Sequence, residues 1–399
     1  MLLKTGLVIS LLFLGQIKEE NLIIQLINFG SFLMLGSFIL SNWPQKNILR
    51  NTSLMLITFL MLMYSIMAIP FISKASNISL DEPVGCTSDT QDFLKTFYIM
   101  KQGIDYYHAF SLALINCGGF QQAPKDSTGW RLPTSFYLWK LFARNGQQIR
   151  ITFLIFSLMA ILCSYLLMKK VTNYKIALLS PYLIIPYLLN AISGDSFIFM
   201  EWWGLFFLIF GMTAIYYEKR NLSLGLLILS VLCRELFIVP VLAILIIDFL
   251  KHSKILYLII FLSAVATFWL LHLINISNIT GQVNFSPQSR IHNFDKNSLM
   301  STLAFSTKTY KFVFLRIGTL LPAISVIGLI RFFFLVKNTD KKFAYFALAS
   351  FFVLILLAPF IVTRATYNGV FQYGDYWGIS FVPLAIIFTP IILAFKLDR

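Results

Sequence analysis

The sequence predicts an all-α, polytopic membrane protein with about twelve transmembrane segments and a long first exterior loop carrying interfacial helices. Three observations lead there. Of the 399 residues, 58% are hydrophobic and 12% charged, against roughly 45–50% and 25% in a soluble domain. Apolar runs close to the ~20 residues of a spanning helix recur along the whole chain. Lys and Arg gather in alternate short loops, the bias that marks cytoplasmic loops.

Candidate spans fall near 3–16, 22–41, 53–72, 149–168, 176–192, 197–217, 222–250, 255–276, 313–335, 343–362 and 379–395. The first is short. Lys4 ahead of a Leu- and Phe-rich centre would also suit a signal-peptide core, but no small-residue cleavage site follows, so it is kept as a span. The run 222–250 contains Cys233, Arg234, Glu235 and Pro240. One continuous helix would put Arg234 and Glu235 deep in hydrocarbon, at a cost of at least about 2.5–3.5 kcal/mol each. As sequence neighbours on a helix they would also point apart. The run therefore reads as two short spans turning near Arg234 and Glu235.

With that split, and with the N-terminus inside, the cytoplasmic loops hold Lys46 and Arg50, then Lys169, Lys170 and Lys175, then Lys219 and Arg220, then Lys251 and Lys254, then Lys337, Lys341 and Lys342. The C-terminus adds Lys396 and Arg399 on the same side. These residues account for much of the formal charge of +15 without a nucleic-acid partner. Residues 1–399 read as one integral-membrane domain of the plasma (inner) membrane, with larger exterior segments at 73–148 and 277–312 and a shorter one near 363–378. The cytoplasmic loops are too short to fold alone. With no GxxxxGK[ST] loop and no strand–GxGxxG–helix unit, an ATPase or a nucleotide-sugar transferase would need a partner chain.

Cys86 and Cys117 share the first exterior segment, in an oxidising compartment, and are either bridged or free. Cys163 and Cys233 lie in apolar runs as small buried residues. The four histidines show no HxxxH spacing and the cysteines no CxxC, so no zinc site is expected.

In the first exterior segment, Phe93, Phe97 and Met100 follow Asp89 and Asp92 at helical spacing, and Gly103 ends that helix. After Pro133 a second piece sets Phe136, Tyr137, Trp139 and Phe142 beside Lys140 and Arg144. Both read as short helices lying in the membrane interface.

Three patterns in this layout resemble the GT-C superfamily of integral-membrane glycosyltransferases. One is Asp89 opening the first large exterior loop, followed by Gly103 and the pair Tyr106 and Tyr107. Another is the step Arg131-Leu132-Pro133 into an aromatic helix and the next span. The third is Arg234-Glu235 at the turn between two short spans. The chain departs from the family in having two candidate spans, rather than one, before the span that leads into the loop.

The resemblance implies transfer of a sugar from a polyprenyl-phosphate carrier to an acceptor hydroxyl on a glycan, lipid or protein at the exterior face, among membrane lipids. It implies no cofactor and leaves divalent-metal use open, since many relatives with a simple phosphate carrier need none. Such a donor already has a good leaving group, so the enzyme must deprotonate the acceptor and stabilise the departing phosphate. By resemblance Asp89 is the base, with Asp92 one helical turn on as its alternative. The plainer role for Asp89 is a helix N-cap.

Arg364, Arg234 and Arg131 are candidates for the phosphate, since an arginine can grip it bidentately. Glu235 would partner Arg234, and a purely structural ion pair is the alternative. Asp195, in the turn Ser193-Gly194-Asp195-Ser196, is either an orienting group or ordinary turn chemistry. For Glu201, a hydrogen bond to a neighbouring helix is a sufficient role. Two other functions fit a chain of this kind: a transporter or flippase of a lipid-linked sugar, and a polymerase or ligase of surface polysaccharide.

Overall fold

The computed structural model describes residues 46–74, 89–117, 122–252, 255–283, 382–388 and 390. All regular secondary structure among them is helical, with no strand. In chain order the helices are α1 (Lys46–Lys74), α2 (Asp89–Lys101), α3 (Tyr106–Cys117), α4 (Thr134–Phe142), α5 (Gly146–Val171), α6 (Tyr174–Ala177), α7 (Leu179–Ser193), α8 (Met200–Tyr216), α9 (Arg220–Cys233), α10 (Ile238–His252), α11 (Ile255–Thr280) and α12 (Val382–Phe388). Short 3-10 turns occupy Ser127–Gly129, Ser196–Ile198 and Glu235–Phe237.

Helices α1, α5 and α11 are long and apolar enough to cross a membrane, and α7, α8 and α9 are shorter apolar helices. Their outer faces carry large apolar side chains: Met55 and Leu62 on α1, Ile155 on α5, and Leu256 and Leu270 on α11 are all more than half exposed. Apolar surface on that scale suits lipid rather than water. The expected spans at 3–16, 22–41, 313–335 and 343–362 lie outside the described residues, and of 379–395 only α12 and residue 390 are described.

The fold has two compact units. One is Tyr64–Ala160 with Ala191–Asn293; the other takes the described parts of Met1–Met63, Ile161–Asn190 and Phe294–Arg399. In the second unit the Tyr165 hydroxyl donates to Ser53 Oγ at 2.9 Å, and the Lys169 ammonium lies 4.8 Å from the Tyr174 ring centre. Every candidate residue that is described belongs to the first unit.

The frame of that unit is the antiparallel pair α8 and α9. Ser230 Oγ donates to the Gly204 carbonyl at 2.7 Å, and Ser223 Oγ to the Gly211 carbonyl at 2.8 Å. A step of seven residues up α8 is thus matched by a step of seven down α9, two turns of each helix. Small residues at these crossings let the backbones approach, as membrane helices require. A Cβ on Gly204 would come within 2.5 Å of Phe237 Cε2, and one on Gly211 within 2.8 Å of Leu227 Cδ2.

Arg234, with φ −152° and ψ 117°, ends α9 in extended backbone, as the cost of burying its charge in a continuous helix predicts. The chain turns through Glu235–Phe237 into α10.

Between α1 and α5 the chain makes a packed layer of short helices. Asp105 Oδ1 accepts from the amides of Tyr107 (3.0 Å) and His108 (3.3 Å), capping the start of α3. Gly103, at φ 96°, terminates α2 where expected. Asn145 Oδ1 accepts from the Gln148 amide at 3.0 Å, while Gln148 Oε1 accepts from the Arg144 amide at 2.7 Å. This exchange resembles a capping box and fixes the corner between α4 and α5.

Aromatic contacts bind the layer to the frame. Phe136 lies 6.0 Å from Phe93, 5.0 Å from Tyr106 and 5.0 Å from Trp139, and Trp139 lies 6.0 Å from Trp203 of α8. The helices expected to lie in the interface each bury one face in protein.

Candidate functional site

The register of α8 against α9 builds the deepest part of the site. Three residues from Gly204 toward the start of α8 is Glu201, and three residues beyond Ser230 on α9 is Cys233, next to Arg234. Arg234 Nε lies 2.7 Å from Glu201 Oε1. Glu201 is fully buried, and among the described residues neither of its carboxylate oxygens accepts a hydrogen bond of ordinary geometry. Arg234 also donates from Nη1 to Glu235 Oε1 at 3.2 Å. Two neighbours that would diverge on a helix pair here because α9 has already ended.

A second arginine comes from the stretch before α4. Arg131 Nη2 lies 3.7 Å from Asp89 Oδ2 at the start of α2. Its guanidinium carbon is 5.8 Å from the Phe93 ring centre. The Tyr106 hydroxyl donates to the Arg131 carbonyl at 2.5 Å and holds that strand of backbone against α3. Arg131 is close enough for its charge to act on Asp92 and Glu201 as well, linking the two ion pairs.

Asp92 is half-buried beside Asp89. Burial, then repulsion from Asp89, push its carboxyl up to about 6, against the opposing pull of Arg131. Tyr107 and His272 complete the cluster: a 3.0 Å hydrogen bond joins Tyr107 Oη to His272 Nδ1. His272 of α11 is buried, with Glu235 near enough to act on it electrostatically. Burial first, then the electrostatics of the Tyr137 phenol and the Asp105 carboxylate, raise the Tyr107 phenol, so it stays protonated. Among the described residues no three His, Cys, Asp or Glu side chains gather as a metal-ligand set.

The three sequence patterns therefore meet in one unit, as Asp89 with Tyr106 and Tyr107, as Arg131, and as Arg234 with Glu235. Asp195 makes its ion pair with a different arginine. It lies 3.6 Å from Arg150, which also donates to the carbonyls of Phe71 (2.8 Å) and Gly194 (3.3 Å) and stacks 4.5 Å from the Phe197 ring centre. Buried Arg150 fastens the turn before α8 to the end of α1, and Asp195 serves it as a turn residue. Arg364 and Cys86 lie outside the described residues.

Glu201, for which the sequence predicts a hydrogen bond to a neighbouring helix, forms an ion pair instead, and His272 and Arg150 join contacts that the sequence does not announce. The seven-residue Gly and Ser spacings on α8 and α9 would have exposed the first. A lone histidine in an apolar run carries no such signal. Compared with known protein families, with curated proteins and with solved structures, the chain finds no match. The arrangement is that of a helical, membrane-type protein with a mixed cluster of carboxylates and guanidiniums shared between a layer of short helices and the buried helix ends it packs on.

Proposed function

We propose that this protein is a membrane glycosyltransferase of about twelve spans, acting at the exterior face of the plasma (inner) membrane. It would move a sugar from a polyprenyl-phosphate carrier to an acceptor hydroxyl on a glycan, lipid or protein. The observation that carries the reading is the meeting of Asp89, Arg131 and Arg234 in one cluster from three distant parts of the chain. In the reaction the Asp89 carboxylate takes the proton of the acceptor hydroxyl as its oxygen attacks the anomeric carbon. The bond from that carbon to the phosphate oxygen breaks, its electron pair stays on that oxygen, and polyprenyl phosphate leaves. Arg131 and Arg234 face the growing negative charge. Asp92 is the alternative base, since a carboxyl near 6 accepts a proton at neutral pH.

The test is sugar transfer by the full-length protein in nanodiscs, from radiolabelled polyprenyl-phosphate sugars to envelope glycan. Asp89→Asn and Asp89→Ala should lower the rate by about 10²–10⁴-fold while helical content is unchanged. Wild-type rates in both variants would rule the assignment out. The buried Glu201–Arg234 pair within apolar helices is the feature that favours the transport reading. Movement of the lipid-linked sugar across a vesicle bilayer with no new glycosidic bond would select it.

A further inference from the structure

The cations of the described site all sit against carboxylates: Arg131 at Asp89, Arg150 at Asp195, and Arg234 at Glu201 and Glu235. Three cations around α4 differ. Lys101, Lys140 and Arg144 have no carboxylate within ion-pair distance among the described residues. Lys101 Nζ donates to the Lys140 carbonyl at 3.3 Å, so two of the three are adjacent. Arg144 follows in the extended corner after α4, and its side chain is exposed.

The same helix turns Tyr137, Leu141 and Phe142 outward, at 49%, 74% and 55% exposure. These positions share one helical face, while Phe136 and Trp139 on the other are fully buried. The depth of this face is set covalently. Helix α5, one of the membrane-capable helices, begins at Gly146, immediately after the corner, and carries exposed Ile151, Ile155 and Met159 one turn apart. Leu141 and Phe142 are thus held at the level where a spanning helix enters the bilayer, next in sequence to cations that have no carboxylate partner among the described residues.

We infer that α4 and the corner after it form a binding site for an anionic phospholipid, whose phosphate sits among Lys101, Lys140 and Arg144 while its acyl chains lie against Leu141 and Phe142. Amphipathic helices of this kind bind through apolar area and headgroup charge together. The inference is independent of the sugar chemistry.

The test uses the full chain in nanodiscs of phosphatidylcholine with a minor fraction of spin-labelled phosphatidylglycerol, comparing its immobilised fraction with that of spin-labelled phosphatidylcholine. Wild type should enrich phosphatidylglycerol, and Lys140→Gln, Arg144→Gln and Lys101→Gln should each lower the enrichment by about fivefold or less, at about 1 kcal/mol per surface cation. The triple variant should show no preference, and Lys219→Gln, a control elsewhere, should change nothing. Should the triple variant fail to fold, the acetylation rate of Lys140 in the wild type gives the answer: phosphatidylglycerol should slow it. Unchanged enrichment in the single variants would overturn the inference. So would equal protection of Lys140 by inorganic phosphate, which would mark a soluble-anion site, or protection that grows with protein concentration in pure phosphatidylcholine, which would mark contact between copies.

Discussion

Two ion pairs of similar composition stand at different levels of the same unit. Glu201–Arg234 is closed at 2.7 Å with side chains 0% and 5% exposed, whereas Asp89–Arg131 is open at 3.7 Å with side chains 35% and 18% exposed. The deep pair is set by helix register: Gly204 and Gly211 against Ser230 and Ser223 leave Glu201 and Arg234 level with each other. The outer pair joins the start of one short helix to the chain entering another. A closed, dry pair resists separation, because either charge left alone is costly. An open pair at the rim can give up its partner to a substrate at little cost. The contrast gives Glu201–Arg234 a structural part besides any in the proposed transfer, and under that proposal it leaves Asp89–Arg131 as the pair that can open to a substrate.

The largest expected effect comes from breaking the deep pair. Arg234→Ala leaves the Glu201 carboxylate buried beside Glu235 and should destabilise the protein by about 3–5 kcal/mol, read from unfolding in mild detergent. Adding Glu201→Gln should restore most of the loss. If the double variant is no more stable than the single, the pair does not hold the frame.

A smaller effect tests the register itself. Gly204→Ala should cost about 1–3 kcal/mol, since its Cβ would press on Phe237 and lie 3.1 Å from the Ser230 carbonyl. Gly225→Ala, on α9 with nothing within 4 Å of the added carbon, should stabilise by up to about 1 kcal/mol. Equal effects at the two glycines would contradict the packing.

The smallest effect is at the rim and depends on pH. The Asp92 carboxyl is raised from 3.8 to about 6, so the folded protein holds that proton more tightly than the unfolded chain. Its contribution is most favourable below pH 4 and is lost as pH rises through about 6. Asp92→Asn should therefore stabilise by about 1 kcal/mol at pH 8, after discounting for solvent, and by almost nothing at pH 4. Melting curves of both proteins at the two pH values decide it; a gain at pH 4 alone would reverse the sign.

Some of this was legible in the residues. The break at Arg234 follows from the cost of a charge in hydrocarbon, and the α2 boundaries follow from Asp89 and Gly103. Helix α3 is absent from the sequence expectation although Asp105, an N-cap residue, stands just ahead of the stretch YYHAFSLALINC. The α4–α5 corner was also written in the sequence, as Asn145 with Gln148 three residues on. The closing of Tyr107 onto His272, 165 residues apart, was not, because no local pattern encodes a contact between a loop helix and a distant span. The same holds for Asp195, whose Gly-Asp-Ser turn is legible but whose capture by Arg150 is a tertiary event.

The central claim, that the rim carboxylate at Arg131 does chemistry while the one at Arg150 holds a turn, is tested by single-turnover transfer from a polyprenyl-phosphate sugar in Asp89→Asn and Asp195→Asn side by side. A loss of about 100-fold or more is expected for Asp89→Asn and of less than about fivefold for Asp195→Asn, with both proteins folded. Equal losses in the two variants, or full activity in Asp89→Asn, would contradict it.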